Sequence, residues 1–266
     1  MKLSIVLSAQ PTSFSAIPFT EGLAENIVKI KNLGYDGVEL AVRNPDKIDL
    51  EWLKPFLEEN NMVVPAIGTG QILSEEGLSF TNPDIEIRRR AIERVKLHVH
   101  LARELNAQVI IGLARGQINK ELSNDLQEEW LIEAFTACAS ADKSVKMVIE
   151  PINRYETNVI NTIESGLNFI EKVGLDNIGL LLDTFHMNIE EPSITESILL
   201  ARDRCFHFHV ADSNRWYPGA GHINFQEIAD TLSDIAYDGF VTAEMLPLPD
   251  PDTSAVKTIE YMRKLI

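Results

Sequence analysis

Residues 205–216 read Cys-Phe-His-Phe-His-Val-Ala-Asp-Ser-Asn-Arg-Trp, with histidines at 207 and 209. Such a pair could hold a metal, serve a base, or simply pack in a core. Three acids elsewhere stand in comparable places. Glu150 closes Lys-Met-Val-Ile-Glu (146–150), Asp183 closes Ile-Gly-Leu-Leu-Leu-Asp (178–183) and Glu244 closes Phe-Val-Thr-Ala-Glu (240–244). Taken singly, each acid reads as a helix cap or a solvated loop residue. Together with His209 they put two Glu, one Asp and one His at the ends of four consecutive apolar runs. That donor set is hard and oxygen-rich, suited to Mn²⁺, with Mg²⁺, Co²⁺ and Zn²⁺ as alternatives.

The four runs belong to a larger pattern. Short β-branched or aliphatic stretches occur at 3–8, 37–42, 62–68, 108–113, 146–150, 178–183, 205–210 and 240–244, and helix-like segments separate them. Leu23, Ile27, Ile30 and Leu33 recur at spacings of three and four, as one apolar face of a helix does; Ile85, Ile92, Val95 and Leu101 trace a longer one. Tyr-Asp-Gly precedes two of the strands, in Asn-Leu-Gly-Tyr-Asp-Gly-Val-Glu and Asp-Ile-Ala-Tyr-Asp-Gly-Phe-Val, which is turn chemistry between helix and strand. Eight strand–helix units in this length predict an α/β fold, a (β/α)₈ TIM barrel spanning 1–266 as one domain. The alternative, an open doubly wound sheet, lacks a Gly-x-Gly-x-x-Gly after the first strand. In a barrel the carboxyl ends of the strands form one rim, where active sites lie, so the four ligands converge there. Strand alternation sends Phe206 and Phe208 to one face and His207 and His209 to the other. His209 is then the ligand, and His207 lies one layer deeper as a hydrogen-bonded core residue. Residues 68–84 form one long irregular segment, expected to be a binding loop or lid.

Composition narrows the partners. The chain has 24 Lys and Arg against 40 Asp and Glu, a net charge of −16, and a pI of about 4.8. A duplex-binding surface needs a basic face, so no nucleic acid is expected. Cys138 and Cys205 are the only cysteines and form no C-x-x-C pattern, so no disulfide framework is implied. No apolar stretch approaches the roughly 20 residues that span a bilayer, and the N-terminus lacks a signal-peptide core. A cytoplasmic protein with no membrane partner is expected.

Val-Ile-Glu-Pro-Ile-Asn-Arg-Tyr-Glu-Thr (148–157), Leu-Leu-Leu-Asp-Thr-Phe-His-Met-Asn (180–188), residues 207–222 and Ala-Glu-Met-Leu-Pro-Leu-Pro (243–249) resemble the D-tagatose 3-epimerase family within the xylose-isomerase-like TIM barrels. Among its relatives the chain is most similar to proteins acting on keto-sugar acids, such as 5-keto-L-gluconate epimerase. The resemblance runs the whole length of the chain. It implies a metal on Glu150, Asp183, His209 and Glu244, with Glu150 and Glu244 also the proton-transfer pair. It implies substrate contacts from His186, Arg215 and Glu156, a small sugar or sugar acid as partner, and assembly as a dimer or tetramer. One departure concerns the segment after the fourth strand. Where relatives acting on simple ketoses often carry an aromatic residue, this chain has Gly-Leu-Ala-Arg-Gly-Gln (112–117).

The residue types suit that chemistry. A hydrogen beside a ketone is weakly acidic, and its removal leaves an enediolate whose charge a divalent cation stabilises. Two carboxyls flanking the planar intermediate are the minimum needed to invert C3. His186 either binds a substrate oxygen or orients Glu150, or is a helix-start histidine. Arg215 either supports developing charge or is a surface residue. Glu156 either pairs with an arginine or binds substrate. Arg115, just past strand four, is a candidate bidentate anchor for an anionic substrate end, against the alternative of a structural ion pair. Phe185 and Trp216 either wall the pocket or pack. His98 and His100 lie two apart on a helix, cannot share a face, and read as non-functional. Hydroxypyruvate isomerase and aldose–ketose isomerase share the enediolate step and remain alternatives, as does a non-catalytic sugar-binding barrel. Endonucleases of the same superfamily use more histidines than the ends of strands three and four offer here.

Overall fold

The computed structural model describes residues 1–266. Eight strands, β1 (Lys2–Ser8), β2 (Gly37–Ala41), β3 (Ala66–Gly68), β4 (Gln108–Ile111), β5 (Met147–Ile149), β6 (Ile178–Asp183), β7 (Cys205–Val210) and β8 (Phe240–Ala243), pair in chain order and close on themselves. All pairings are parallel, and β1 against β8 completes the ring. Ten α-helices cover the outside: α1 (Leu23–Leu33), α2 (Leu50–Glu59), α3 (Gln71–Glu76), α4 (Ile85–Leu105), α5 (Asn124–Ala139), α6 (Ile163–Val173), α7 (Thr184–Glu190), α8 (Ile194–Ala201), α9 (Phe225–Asp234) and α10 (Pro251–Met262). None is long and apolar enough to cross a membrane.

Strands of such a barrel are buried on both faces, which is why they read as near-continuous apolar runs. Outward side chains such as Val38, Leu40, Leu180 and Leu182 join the helices in one large apolar cluster. The inward side chains of β3–β6 form a separate cluster, Ala66, Ile110, Val148 and Leu181. Five of the eight expected strands are shorter here. The third run begins at Ala66 rather than 62, and Glu150 and Glu244 each fall one residue beyond their strand. Residues 68–84 are not wholly irregular, because α3 occupies 71–76; six residues are too few to show helical periodicity.

The alternation expected across β7 holds only in part. Leu180 pairs with Cys205 but Leu181 pairs with His207, so Phe206 is an extra residue in a bulge. It packs against the inward cluster instead of sharing the outward face of Phe208, and a Cβ on Gly179 would stand 2.3 Å from its ring. An inserted residue resets the parity of a strand. Past it, Asp183 and His209 lie side by side in register.

Candidate active site

The rim set converges. One ligand atom from each of Glu150, Asp183, His209 and Glu244 lies within 4.8 Å of all the others. His209 Nδ1 stands 3.7 Å from Asp183 Oδ2 and 3.9 Å from Glu244 Oε2. His209 Nδ1 and Glu150 Oε1 are buried without a hydrogen-bond partner. Buried polar atoms are ordinarily paired, so two orphans facing two further carboxylates fit a cation held between them. Asp183 caps a helix and also belongs to this cluster. Its Oδ1 caps α7 through the backbone N–H groups of Phe185 and His186, at 2.7 and 3.2 Å, and its Oδ2 faces His209.

Behind His209 stands Glu39, in the middle of β2 and 2% exposed. Its Oε2 accepts from His209 Nε2 at 2.9 Å and from His207 Nε2 at 2.7 Å. His207 also meets the Thr242 hydroxyl at 3.1 Å, and Thr242 meets Ser4 at 2.6 Å. Reading strand ends alone passes over Glu39. Its position signals it nonetheless: a Glu between Val38 and Leu40, in a strand with no exposed face, must point into the barrel. Glu39, His207 and His209 could nominally gather round an ion, but their contacts are direct hydrogen bonds with no space between them. The carboxylate instead fixes His209 with Nε2 inward and Nδ1 toward the rim. This is the support that metal-binding histidines ordinarily receive, and it gives His207 the deeper place expected of it.

The electrostatics follow from burial and charge. Burial, then the Glu244 charge, pushes the Glu150 carboxyl well above the usual range. Burial raises Glu244 to about 7, although His209 and Arg215 pull it back. Burial would also raise Asp183, but the neighbouring His186 ring and the charge of His209 outweigh it and hold the carboxyl below its usual range. For His209, burial favours the neutral ring, and Glu39, Asp183 and Glu244 more than offset that. A proton on His209 thus faces three carboxyls, in the place where a cation's charge would serve the same purpose. Gly112 makes room: a Cβ there would sit 2.7 Å from Glu150 Oε2.

Other expected residues line the same pocket, a space of about 650 Å³ with its mouth included. His186 Nδ1 accepts from Asn153 Nδ2 at 2.8 Å. The Asn153 amide is oriented because its Oδ1 accepts from Tyr155 N. The His186 proton therefore sits on Nε2, 3.6 Å from Glu150 Oε1, and burial keeps the ring neutral. Arg215 donates to Glu156 Oε1 at 2.9 Å and stands 3.5 Å from Glu244 Oε2. Its backbone holds a φ of 61°, a conformation uncommon outside glycine, and its carbonyl accepts from Leu246 N. Glu156 is thus an arginine partner at the pocket wall. Phe185 packs under the Arg215 guanidinium, 4.8 Å from ring centre; it and Trp216 do not line the pocket. His98 is locked between the carbonyls of Val42 and Arg94, a structural role.

Arg115 corrects an expectation. It is fully buried, and its guanidinium donates to the carbonyls of Val159, Gly112 and Ile160 at 3.0, 2.8 and 3.1 Å. It ties the loops after β4 and β5 together and does not line the pocket, so it offers nothing to a substrate anion.

A family model for the xylose isomerase-like TIM barrel matches residues 27–265. The L-ribulose 3-epimerase of Methylomonas sp. (strain DH-1) is 30% identical over 248 residues, which cover 92% of this chain and 85% of that protein. The D-psicose 3-epimerase of Ruminiclostridium cellulolyticum is 33% identical over 235 residues, covering 82% and 76%. The crystal structure of D-psicose 3-epimerase with D-tagatose from Clostridium cellulolyticum H10 matches with a TM-score of 0.83 at 25% identity, over 100% of this chain and 99% of that one.

Proposed function

The chain belongs to the xylose isomerase-like TIM barrel family, and on that premise, beside ketose 3-epimerases 30% and 33% identical to it, we propose that it is a divalent-metal-dependent epimerase inverting C3 of a ketose. The observation that carries this reading is the pair of carboxyls, Glu150 and Glu244. They close β5 and β8 around one pocket and share Asp183 and His209 between them.

A carboxylate in a desolvated site is a stronger base than an exposed one, and its acid form persists nearer neutrality. Burial raises both glutamates. One takes the proton from C3, and the other returns a proton to the opposite face of the planar intermediate, which inverts the centre. His186 presents its Nε2–H to Glu150 or to a substrate oxygen. Arg215, fixed by Glu156, puts a positive charge beside Glu244. Glu150, Asp183, His209 and Glu244 would hold the metal, with Mn²⁺ the first expectation and Mg²⁺, Co²⁺ and Zn²⁺ alternatives for this hard donor set. A divalent cation there supplies Lewis acidity that stabilises the negative charge left by the departing proton.

The pocket favours a neutral ketose over 5-keto-L-gluconate or D-tagaturonate. Arg215 is the one Lys or Arg among its lining residues, and two glutamates already engage it. The reading is tested with Glu150→Gln and Glu244→Gln, each loaded with metal. Each should lose about 10²–10⁴-fold in kcat, and the proton each still exchanges assigns its face of the substrate. Near-full turnover in both, with metal bound, would overturn the proposal.

A further inference from the structure

We propose that Gln71 is a specificity-determining residue, whose Oε1 accepts a hydrogen bond from a substrate hydroxyl lying beyond the reacting carbons. This rests on the epimerase reading above. Gln71 opens α3, just after β3. In a ring of eight strands β3 lies across from β7, which carries His209. Gln71 nevertheless lines the same pocket as His209, Glu150 and Glu244. A ketose with C3 between the two glutamates therefore extends its remaining carbons toward this side.

The orientation of the Gln71 amide follows from its neighbours. The Ser8 hydroxyl donates its single proton to the Gln10 carbonyl. It can then only accept from Gln71, and it does so from Nε2 at 2.9 Å. The amide nitrogen is thus turned to Ser8, and Oε1 faces away from it. That oxygen is buried and has no hydrogen-bond partner, on a residue only 3% exposed. The nearby Thr69 hydroxyl cannot serve it, being spent on the Ile110 carbonyl at 2.7 Å. The pocket that Gln71 lines also has an apolar side, made by Val6, Phe14, Ile17 and Ala41.

A buried acceptor without a donor carries a standing desolvation cost. A sugar supplies a hydroxyl on nearly every carbon, whereas an apolar wall supplies none. A buried, unpaired acceptor discriminates by where the substrate places a hydroxyl, because a ligand lacking one there leaves the acceptor unpaired.

The test compares wild type with Gln71→Met, which keeps the side chain's length and removes the acceptor, both metal-loaded. The substrates are the best accepted of D-fructose, D-psicose and D-tagatose, and dihydroxyacetone, which has no carbon beyond C3. For the six-carbon ketose, KM and the calorimetric Kd should rise about tenfold, with kcat nearly unchanged. Deuterium exchange into dihydroxyacetone should stay at the wild-type rate, which also reports an intact fold and metal site. An equal loss on both substrates would show a structural role and overturn the inference. No change on the six-carbon ketose would show that no substrate hydroxyl uses this oxygen, and would also overturn it. If wild type exchanges no ketose at all, the epimerase reading fails and this inference with it; an active wild type with an indifferent variant removes the inference alone.

Discussion

Between β3 and β6 the apolar side chains pointing into the barrel are Ala66, Ile110, Val148 and Leu181, with Phe206 packed against them and its carbonyl accepting from Gln108 Nε2. Between β7 and β2 the polar ones are His207, His209, Thr242, Ser4 and Glu39, linked by hydrogen bonds of 2.6 to 3.1 Å, with the apolar Val6 and Ala41 on the pocket wall. The first half follows the usual construction of these barrels, in which layers of aliphatic residues fill the interior. The second half departs from it at a cost, since a buried polar group is tolerated only when paired. The pairing is close to complete; the two atoms left without a partner are His207 Nδ1 and His209 Nδ1, the second of which faces the rim carboxylates. The contrast teaches that the polar half is there for its upper end. Its bonds lead to His209 and fix which ring nitrogen meets the rim, whereas the apolar half serves stability.

Variants of the two halves should therefore separate two observables. The largest effect is expected from Leu181→Ala, which removes a fully buried side chain and should cost about 2–5 kcal/mol in chemical denaturation, with metal affinity little changed. Next comes Glu39→Gln, which keeps the volume and removes the charge that fixes both histidines. Titration calorimetry should show metal affinity reduced by about 10–100-fold, while the protein stays folded by circular dichroism. If Glu39→Gln bound metal as wild type does, the network would be filler and the contrast would collapse. The smallest effect should come from Thr242→Val, which cuts the network between Ser4 and His207. About 0.5–1.5 kcal/mol of stability is expected to go, with a drop in metal affinity smaller than that of Glu39→Gln. A larger drop would place the critical support in β8 rather than β2.

The barrel and the four-residue cluster at its rim are legible because each strand is a short aliphatic run and its last residues stand at the rim by topology alone. What escaped was direction and parity. Arg115 lies where a rim residue should, yet nothing local shows its guanidinium turning to the carbonyls of Val159, Gly112 and Ile160. Phe206 was placed by strict alternation, and a bulge in β7 undoes alternation. Glu39 sits mid-strand, where an acid normally signals a solvated face; only the closure of the barrel denies that strand any such face. Gln71 lies in a stretch too short to betray its helix, and its part depends on a proton of Ser8 that no sequence pattern records.

Metal-dependent inversion at C3 is tested most directly by proton NMR in D₂O on the Mg²⁺-loaded wild-type protein with D-fructose, D-psicose or D-tagatose. The account predicts that the C3 proton signal of at least one of them is lost to deuterium as its C3 epimer appears, that a chelator stops both changes, and that added Mg²⁺ restores them. Exchange at C1 with formation of an aldose, or exchange that ignores the chelator, would contradict it.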